Sequence, residues 1–240
     1  MASLSTQATA SIHSQSTEDN LVEETRSVGY VHKINLTCDG TLSIDIGFIP
    51  KLIVQAPEAW MPYILTTTNG STLTLGVETP PAGETPTVPL VVFFYLTTTR
   101  VKDVNLTSGV LTAGNLASSN LTIGASGGSQ VTLTDQNLTT LNTTISGSAC
   151  CQLSGTASTQ SHGLSGSGKF CGFSLQGSTV KVTASASTLG LVYAQKSLTA
   201  TASGSATVVY DGNPTTVKPQ TSGSGQVIPA SSWKGNSLCN

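Results

Sequence analysis

The chain has 240 residues, of which only 9% are charged and 5% aromatic, against roughly 25% charge in an average globular protein. Its 69 Ser plus Thr, 24 Gly, net charge of −2 and mean hydropathy of +0.10 exclude a basic nucleic-acid binder, a solvated disordered polymer and a helical bundle. A β-rich protein remains, too poor in charge for catalysis to be expected.

Residues 1–28 form a polar segment carrying Glu18, Asp19, Glu23 and Glu24, four of the 12 acids. The segment reads as an arm or tail, with a short helix near Glu18–Arg26, and flexible or docking roles are both open. It lacks the charged start and apolar block of a leader. No apolar run reaches the roughly 18 residues a membrane span needs. Five cysteines (Cys38, Cys150, Cys151, Cys171 and Cys239) are too few for a disulfide scaffold, and their odd number leaves at least one without an intrachain partner.

From Tyr30 to about Leu96 the pattern alternates as strands do: Val31–Leu36, Thr41–Ile46, Lys51–Gln55, Tyr63–Thr67, Thr72–Val77 and Leu90–Leu96. Turns fall at Asp39-Gly40, Asn69-Gly70 and the proline-rich Thr79–Pro89. Seven of the 10 prolines lie between Pro50 and Pro89, and none between residues 90 and 213. Proline cannot donate to a ladder, so the second region suits strands paired on both sides.

That region carries an internal repeat. Small-residue corners begin at Ser126-Gly127, Ser146-Gly147, Ser165-Gly166, Ser185-Ala186, Ser203-Gly204 and Ser222-Gly223, at intervals of 20, 19, 20, 18 and 19 residues. Five, three and one residues before the corner stand Leu121, Ile123 and Ala125, then Leu141, Thr143 and Ile145, then Val180, Val182 and Ala184, then Leu198, Ala200 and Ala202. Polar residues such as Thr122, Asn142, Lys181 and Thr199 lie between them. Beyond the corner the inward series continues with Val131, Cys151, Phe170, Val208 and Val227. This is a period-2 strand at one register, turning at a corner that glycine permits.

A 19-residue unit is too short for a helix pair or a propeller blade. It suits one coil of an all-β, right-handed parallel β-helix (a β-solenoid) of about six short coils preceded by an N-terminal β section. At roughly 4.8 Å per coil the six rise about 29 Å. The predicted organisation is an arm over 1–28, a β section over 29–100 continuous with the solenoid, coils over 101–228 and a C-terminal cap or tail over 229–240. Pro229 and Trp233 are expected to close the last coil, and the strands around 30–96 the first.

The closing run Gly204-Ser205-Ala206-Thr207-Val208-Val209-Tyr210-Asp211-Gly212-Asn213-Pro214, ahead of Ser222–Gly225, resembles the putative auto-transporter adhesin, head GIN domain family. So do the opening strands Lys33-Ile34-Asn35-Leu36 and Gly40-Thr41-Leu42-Ser43-Ile44. The resemblance covers roughly residues 30–228. It implies a right-handed parallel β-helix on exported bacterial proteins, with an adhesive role and no catalytic residues to carry over. Two departures stand out: Ala186 replaces a corner glycine, and no leader is visible.

Between residues 104 and 210 the only acid is Asp135 and the only basic side chains besides His162 are Lys169, Lys181 and Lys196, so no catalytic constellation is expected. The register turns His162 inward, in the column of Thr143 and Val182, as a satisfied core histidine or a bulge. His13 and His32 have no ligand partner at a useful spacing, so neither metal nor cofactor is expected. Cys151 points inward. Cys150 and Cys171 face outward on neighbouring coils, offset by two positions, which separates their Cα atoms by about 8 Å unless a bulge at Gly172 brings them into disulfide reach.

Six sequons, at Asn35, Asn69, Asn105, Asn120, Asn137 and Asn142, are candidate glycosylation sites. The outward Thr, Ser, Asn and Gln residues form an uncharged hydroxyl-rich wall. The expected function is therefore a non-enzymatic extracellular or cell-surface structural or adhesive protein. Its expected partners are other copies of itself, end to end or through the arm, and polysaccharides or cell-surface glycans. The alternative is a glycan-binding or, less readily, glycan-processing module.

Overall fold

The computed structural model describes residues 21–235, which are mostly strand with almost no helix. In chain order these are β1 (Leu21–Arg26), β2 (Lys33–Leu36), β3 (Thr41–Ile46), β4 (Lys51–Pro57), β5 (Ile64–Asn69), β6 (Thr72–Val77), β7 (Phe93–Thr98), β8 (Asp103–Leu106), β9 (Val110–Ala113) and β10 (Asn120–Ala125). Four long strands follow, β11 (Gln130–Ile145), β12 (Cys150–Leu164), β13 (Lys169–Ala184) and β14 (Leu189–Ala202), and then β15 (Thr207–Asp211), β16 (Thr216–Thr221) and β17 (Gln226–Pro229).

The strands build two parallel ladders joined at the corners. Ahead of the corner, Val104 pairs with Ile123, Ile123 with Thr143, Thr143 with His162, His162 with Val182 and Val182 with Ala200. After it, Leu111 pairs with Val131, Val131 with Cys151, Cys151 with Phe170, Phe170 with Gly190, Gly190 with Val208 and Val208 with Val227. Each of β11–β14 serves both ladders by bending; the register shifts between Leu133 and Gln136, and between Gln152 and Gly155. The inward columns are almost wholly buried and form one continuous core, so each coil is held by its neighbours above and below.

The six corners repeat one backbone solution. The second residue is left-handed at Gly127, Gly147, Gly166, Gly204 and Gly223, with φ between 62° and 79°, and also at Ala186, with φ 61°. This tight bend directs the amide of the third residue onto the coil before it: Ser148 N–H donates to Gly127 O at 2.8 Å, Ser167 to Gly147 at 2.8 Å and Ser187 to Gly166 at 2.9 Å. A Cβ at Gly147 would lie 2.8 Å from Gly127 O, so the stack favours glycine there, although the corner at Ala186 accommodates a methyl.

The N-terminal section does not simply precede the coils. β2 and β3 form a level whose one neighbour is β8–β9 and whose other neighbour is β6–β7, later in the chain. After β1 the path therefore enters within the stack at β2–β3, adds the β6–β7 level on the outside, then returns to build the repeats. The outer level is covered by antiparallel strands, β5 on β6 and β4 on β7, with β1 on β4. This overturns one expectation. Leu21–Arg26 is an edge strand rather than part of a helix, because its backbone groups find partners from Leu52 to Pro57. The remainder of that expected helix, before Leu21, lies outside the described residues.

Arg26 ties the cover together. Its guanidinium donates to Ile64 O at 2.6 Å, Met61 O at 3.3 Å and Thr66 Oγ1 at 3.0 Å, and meets Glu24 at 3.2 Å. One side chain thus links β1, at the end of one ladder, to β5, at the end of the other.

At the opposite end, the sequence pattern predicts that Trp233 closes the last coil. Instead its ring packs edge-on against Phe173, three levels back, at a centroid distance of 6.1 Å. It covers an outward apolar column in which Cys171 pairs with Leu191, Leu191 with Val209 and Val209 with Ile228. The tail is a clamp along the side, and Cys171, expected on an exposed face, is buried beneath it.

Candidate functional site

Two rows of side chains define the outward wall of the first ladder. One runs Asp103, Thr122, Asn142, Ser161, Lys181, Thr199, Lys218, and the other Asn105, Gly124, Thr144, Gly163, Thr183, Thr201, Gln220. Strand pairing spaces members of a row at about 4.8 Å, and alternate residues along one strand at about 6.6 Å. Short, mostly uncharged groups are thus displayed on a fixed lattice by a backbone bonded at every level. Such a surface can form many weak hydrogen bonds at once, with little ordering cost on the protein side.

The sequons divide by environment. Asn69, Asn120, Asn137 and Asn142 are exposed. Asn35 and Asn105 are half-buried and already engaged: Asn105 Nδ2 donates to Asn35 Oδ1 at 3.2 Å, and Asn35 Nδ2 to Thr74 Oγ1 at 3.4 Å. These two amides form a ladder of their own.

His162 lies in the core beside Thr143, as its register implies. Thr143 Oγ1 lies 2.8 Å from Nδ1, Gln160 Oε1 lies 3.0 Å from Nε2, and the Phe170 ring stacks at 4.0 Å, tilted by 31°. Gln160 Nε2 in turn donates to the carbonyls of Ala157 and Leu175 at 3.3 and 3.2 Å. Because that amide nitrogen is committed as a donor, Oε1 faces the ring and His162 carries its proton on Nε2, with Thr143 donating to Nδ1. Burial pushes its pKa down to about 3, so the ring is neutral. Its partners are all internal, which makes it a structural group.

Cys150 and Cys171 are both disulfide-bonded. The register shows the two-position offset, with Cys150 opposite Lys169 and Cys171 opposite Gln152. Cys151 is buried in the core column, and burial pushes its thiol up to about 12. Cys38 is half-buried, and burial together with nearby Asp39 raises its thiol to about 11. Neither is a ready nucleophile. Cys239 and His13 lie outside the described residues.

The pattern did not reveal the bare tip between β3 and β4, where Phe48 is 93% and Ile49 80% exposed. Nor did it reveal the apolar column under Trp233, although Leu191, Val209 and Ile228 stand at the parity of outward positions and so carried a signal. Among the described residues no helix is long and apolar enough to cross a membrane, and no group of three or more His, Cys, Asp or Glu could hold a metal ion.

The solenoid has counterparts among solved structures. A putative adhesin from Bacteroides fragilis superposes with a TM-score of 0.76 at 18% identity, covering 88% of this chain and 97% of that one. A putative lipid binding protein from Parabacteroides distasonis gives 0.70 at 19% identity, with 88% and 97% covered. A putative adhesin from the same species gives 0.61 at 16%, with 88% and 98% covered. At these identities the likeness is one of fold. No curated protein matches the sequence. The model of the family described as putative auto-transporter adhesin, head GIN domain, matches residues 32–214, and the chain belongs to that family.

Proposed function

We propose that the protein is a non-enzymatic adhesive head that works at the cell surface or outside the cell, holding other surfaces through its hydroxyl-rich wall. The observation that carries this reading is the pair of in-register outward rows from Asp103 to Lys218 and from Asn105 to Gln220. A rigid lattice of short polar groups suits repetitive polar polymers, of which glycans are the class that best matches its hydrogen bonds and its scarcity of charge. Membership of an adhesin-head family supports the same conclusion. Cys150 and Cys171 are bonded to each other, since the one cysteine left over, Cys239, could serve only one of them. In a producer that glycosylates, attachment falls on the exposed Asn69, Asn120, Asn137 and Asn142.

The test is retention of the labelled, folded protein on glycan-coated beads and on whole cells. Saturable retention that is lost on unfolding supports the reading; no retention on any surface contradicts it.

Assembly into fibres is a second reading, favoured by the outer edges of β16 and β17. Among the described residues these strands pair only inward, with β14 and β15. Lys218, Pro219 and Pro229 on those strands oppose strand addition. Sedimentation over a range of concentrations decides: growing oligomers favour fibres, and a constant monomer favours a discrete head.

A further inference from the structure

The closing motif Tyr210-Asp211-Gly212-Asn213-Pro214 has no part in the wall or in the corner stack. The chain here leaves β15 through two consecutive left-handed residues, Gly212 at φ 92° and Asn213 at φ 52°. The loop is pressed onto the preceding coil so closely that a Cβ on Gly212 would lie 2.4 Å from Ala194 O and 2.8 Å from Tyr193 Cε1. Gly212 N–H donates to Asp211 Oδ1 at 2.8 Å, and Thr215 Oγ1 pins the far end of the loop by donating to Lys196 O at 2.9 Å. The loop is therefore held in a conformation that costs backbone energy at Asn213.

It borders a cavity of about 250 Å³ at the last coil, where Tyr210, Asp211 and Asn213 meet Val217, Pro229 and Ser231. Tyr210 packs against the core and lines the cavity as well. Asp211 and Asn213 are exposed, and among the described residues the only side-chain hydrogen bond of the two is the one Asp211 Oδ1 accepts from Gly212. Among the described residues, Asp211 is the only charged one in the lining.

We infer that this cavity binds one neutral pyranose, the terminal sugar of a glycan. The chemistry of such a ring is matched group for group. Its vicinal hydroxyls need an acceptor that can take two hydrogen bonds, which a carboxylate supplies. A third hydroxyl needs a group that both donates and accepts, which the amide of Asn213 does. The C–H face needs an apolar surface, offered by Tyr210, Val217 and Pro229. The volume admits one ring rather than a chain. A lone carboxylate disfavours acidic sugars, and one carboxylate is too few for a divalent-ion site. The inference rests on the adhesive reading and adds a specific end-on contact to the weak lateral ones.

The probes are methyl α-mannoside, methyl β-galactoside and methyl β-N-acetylglucosaminide, titrated into the isotope-labelled full chain and followed by amide chemical shifts. At least one is expected to shift resonances of residues 210–217 and 229–231, while sialic acid does not. D211A is expected to weaken that binding by at least about tenfold. N213G, which keeps the left-handed backbone and deletes only the amide, is expected to weaken it without unfolding the chain. No shift with any of the three sugars, shifts that map elsewhere, or shifts unaltered in both variants would overturn the inference. If D211A still adheres to cells as the unaltered protein does, the cavity is not the adhesive contact although the adhesive reading stands. If the sugar binds but no surface is retained, the adhesive reading fails alone.

Discussion

The hydroxyl of Thr143 lies 2.8 Å from Nδ1 of His162 on the next coil, and both side chains are buried. This contact turns register into pH dependence. The imidazole titrates at its ordinary 6.5 when the chain is unfolded but near 3 when folded, so between those values the unfolded state binds more protons. Stability is fully present above about pH 6.5 and falls by up to about 1.4 kcal/mol per unit below it, down to about pH 3. Denaturant melts at pH 7 and pH 5 check this. The unaltered protein should lose more stability than H162Q, which has no proton to take up there.

The corner column makes Ala186 a strained exception. Glycine is free of the roughly 1–2 kcal/mol that a left-handed backbone costs other residues, but loses up to about 1 kcal/mol in chain entropy. A186G should therefore stabilise modestly, by about 0.5–1 kcal/mol in a urea melt. G147A should destabilise by about 2 kcal/mol or more, because its Cβ also meets Gly127 O at 2.8 Å.

Thiol chemistry separates the cysteines. In the folded protein without reductant, alkylation at pH 8 should modify Cys38 slowly and Cys151 only after unfolding, given thiols near 11 and 12. Peptide mapping should recover Cys150 joined to Cys171. Opening that bridge in C150S/C171S should cost about 3 kcal/mol, as expected for a closed loop of this length.

Arg26 binds backbone carbonyls on a neighbouring ladder, so its contribution should exceed that of its exposed ion pair with Glu24. R26A should lower stability by about 1.5–3 kcal/mol. R26K should recover little of this, because an ammonium cannot span Met61 O, Ile64 O and Thr66 Oγ1 together. E24Q should change stability by less than about 0.5 kcal/mol. Thermal melts of the three variants check the ranking.

Much of the solenoid is legible in the sequence because its cause is local and repeated. One corner needs a left-handed residue, one strand face needs apolar residues at alternate positions, and both recur every coil. The same register sets His162 beside Thr143 from the sequence alone, and the two pair in the structure. The order of levels at the amino end is not legible, since β2 pairing with both β6 and β8 depends on which pairings bury most surface, not on any local signal. The burial of Cys171 is not legible for a similar reason: it depends on Trp233, some sixty residues later, folding back along the side. The wall was readable as a list of polar residues, whereas the cavity beside Tyr210 needed the return of Pro229–Ser231 to close it.

The most direct measurement is the distance between spin labels on the exposed positions Thr122 and Thr199, in a chain whose native thiols have been replaced and whose disulfide is intact. These residues stand in one row, four coil steps apart through Asn142, Ser161 and Lys181. The account predicts a narrow distribution centred near about 20 Å, four times the spacing between strands. A broad distribution, or one centred well beyond 30 Å (roughly six such spacings), would contradict it.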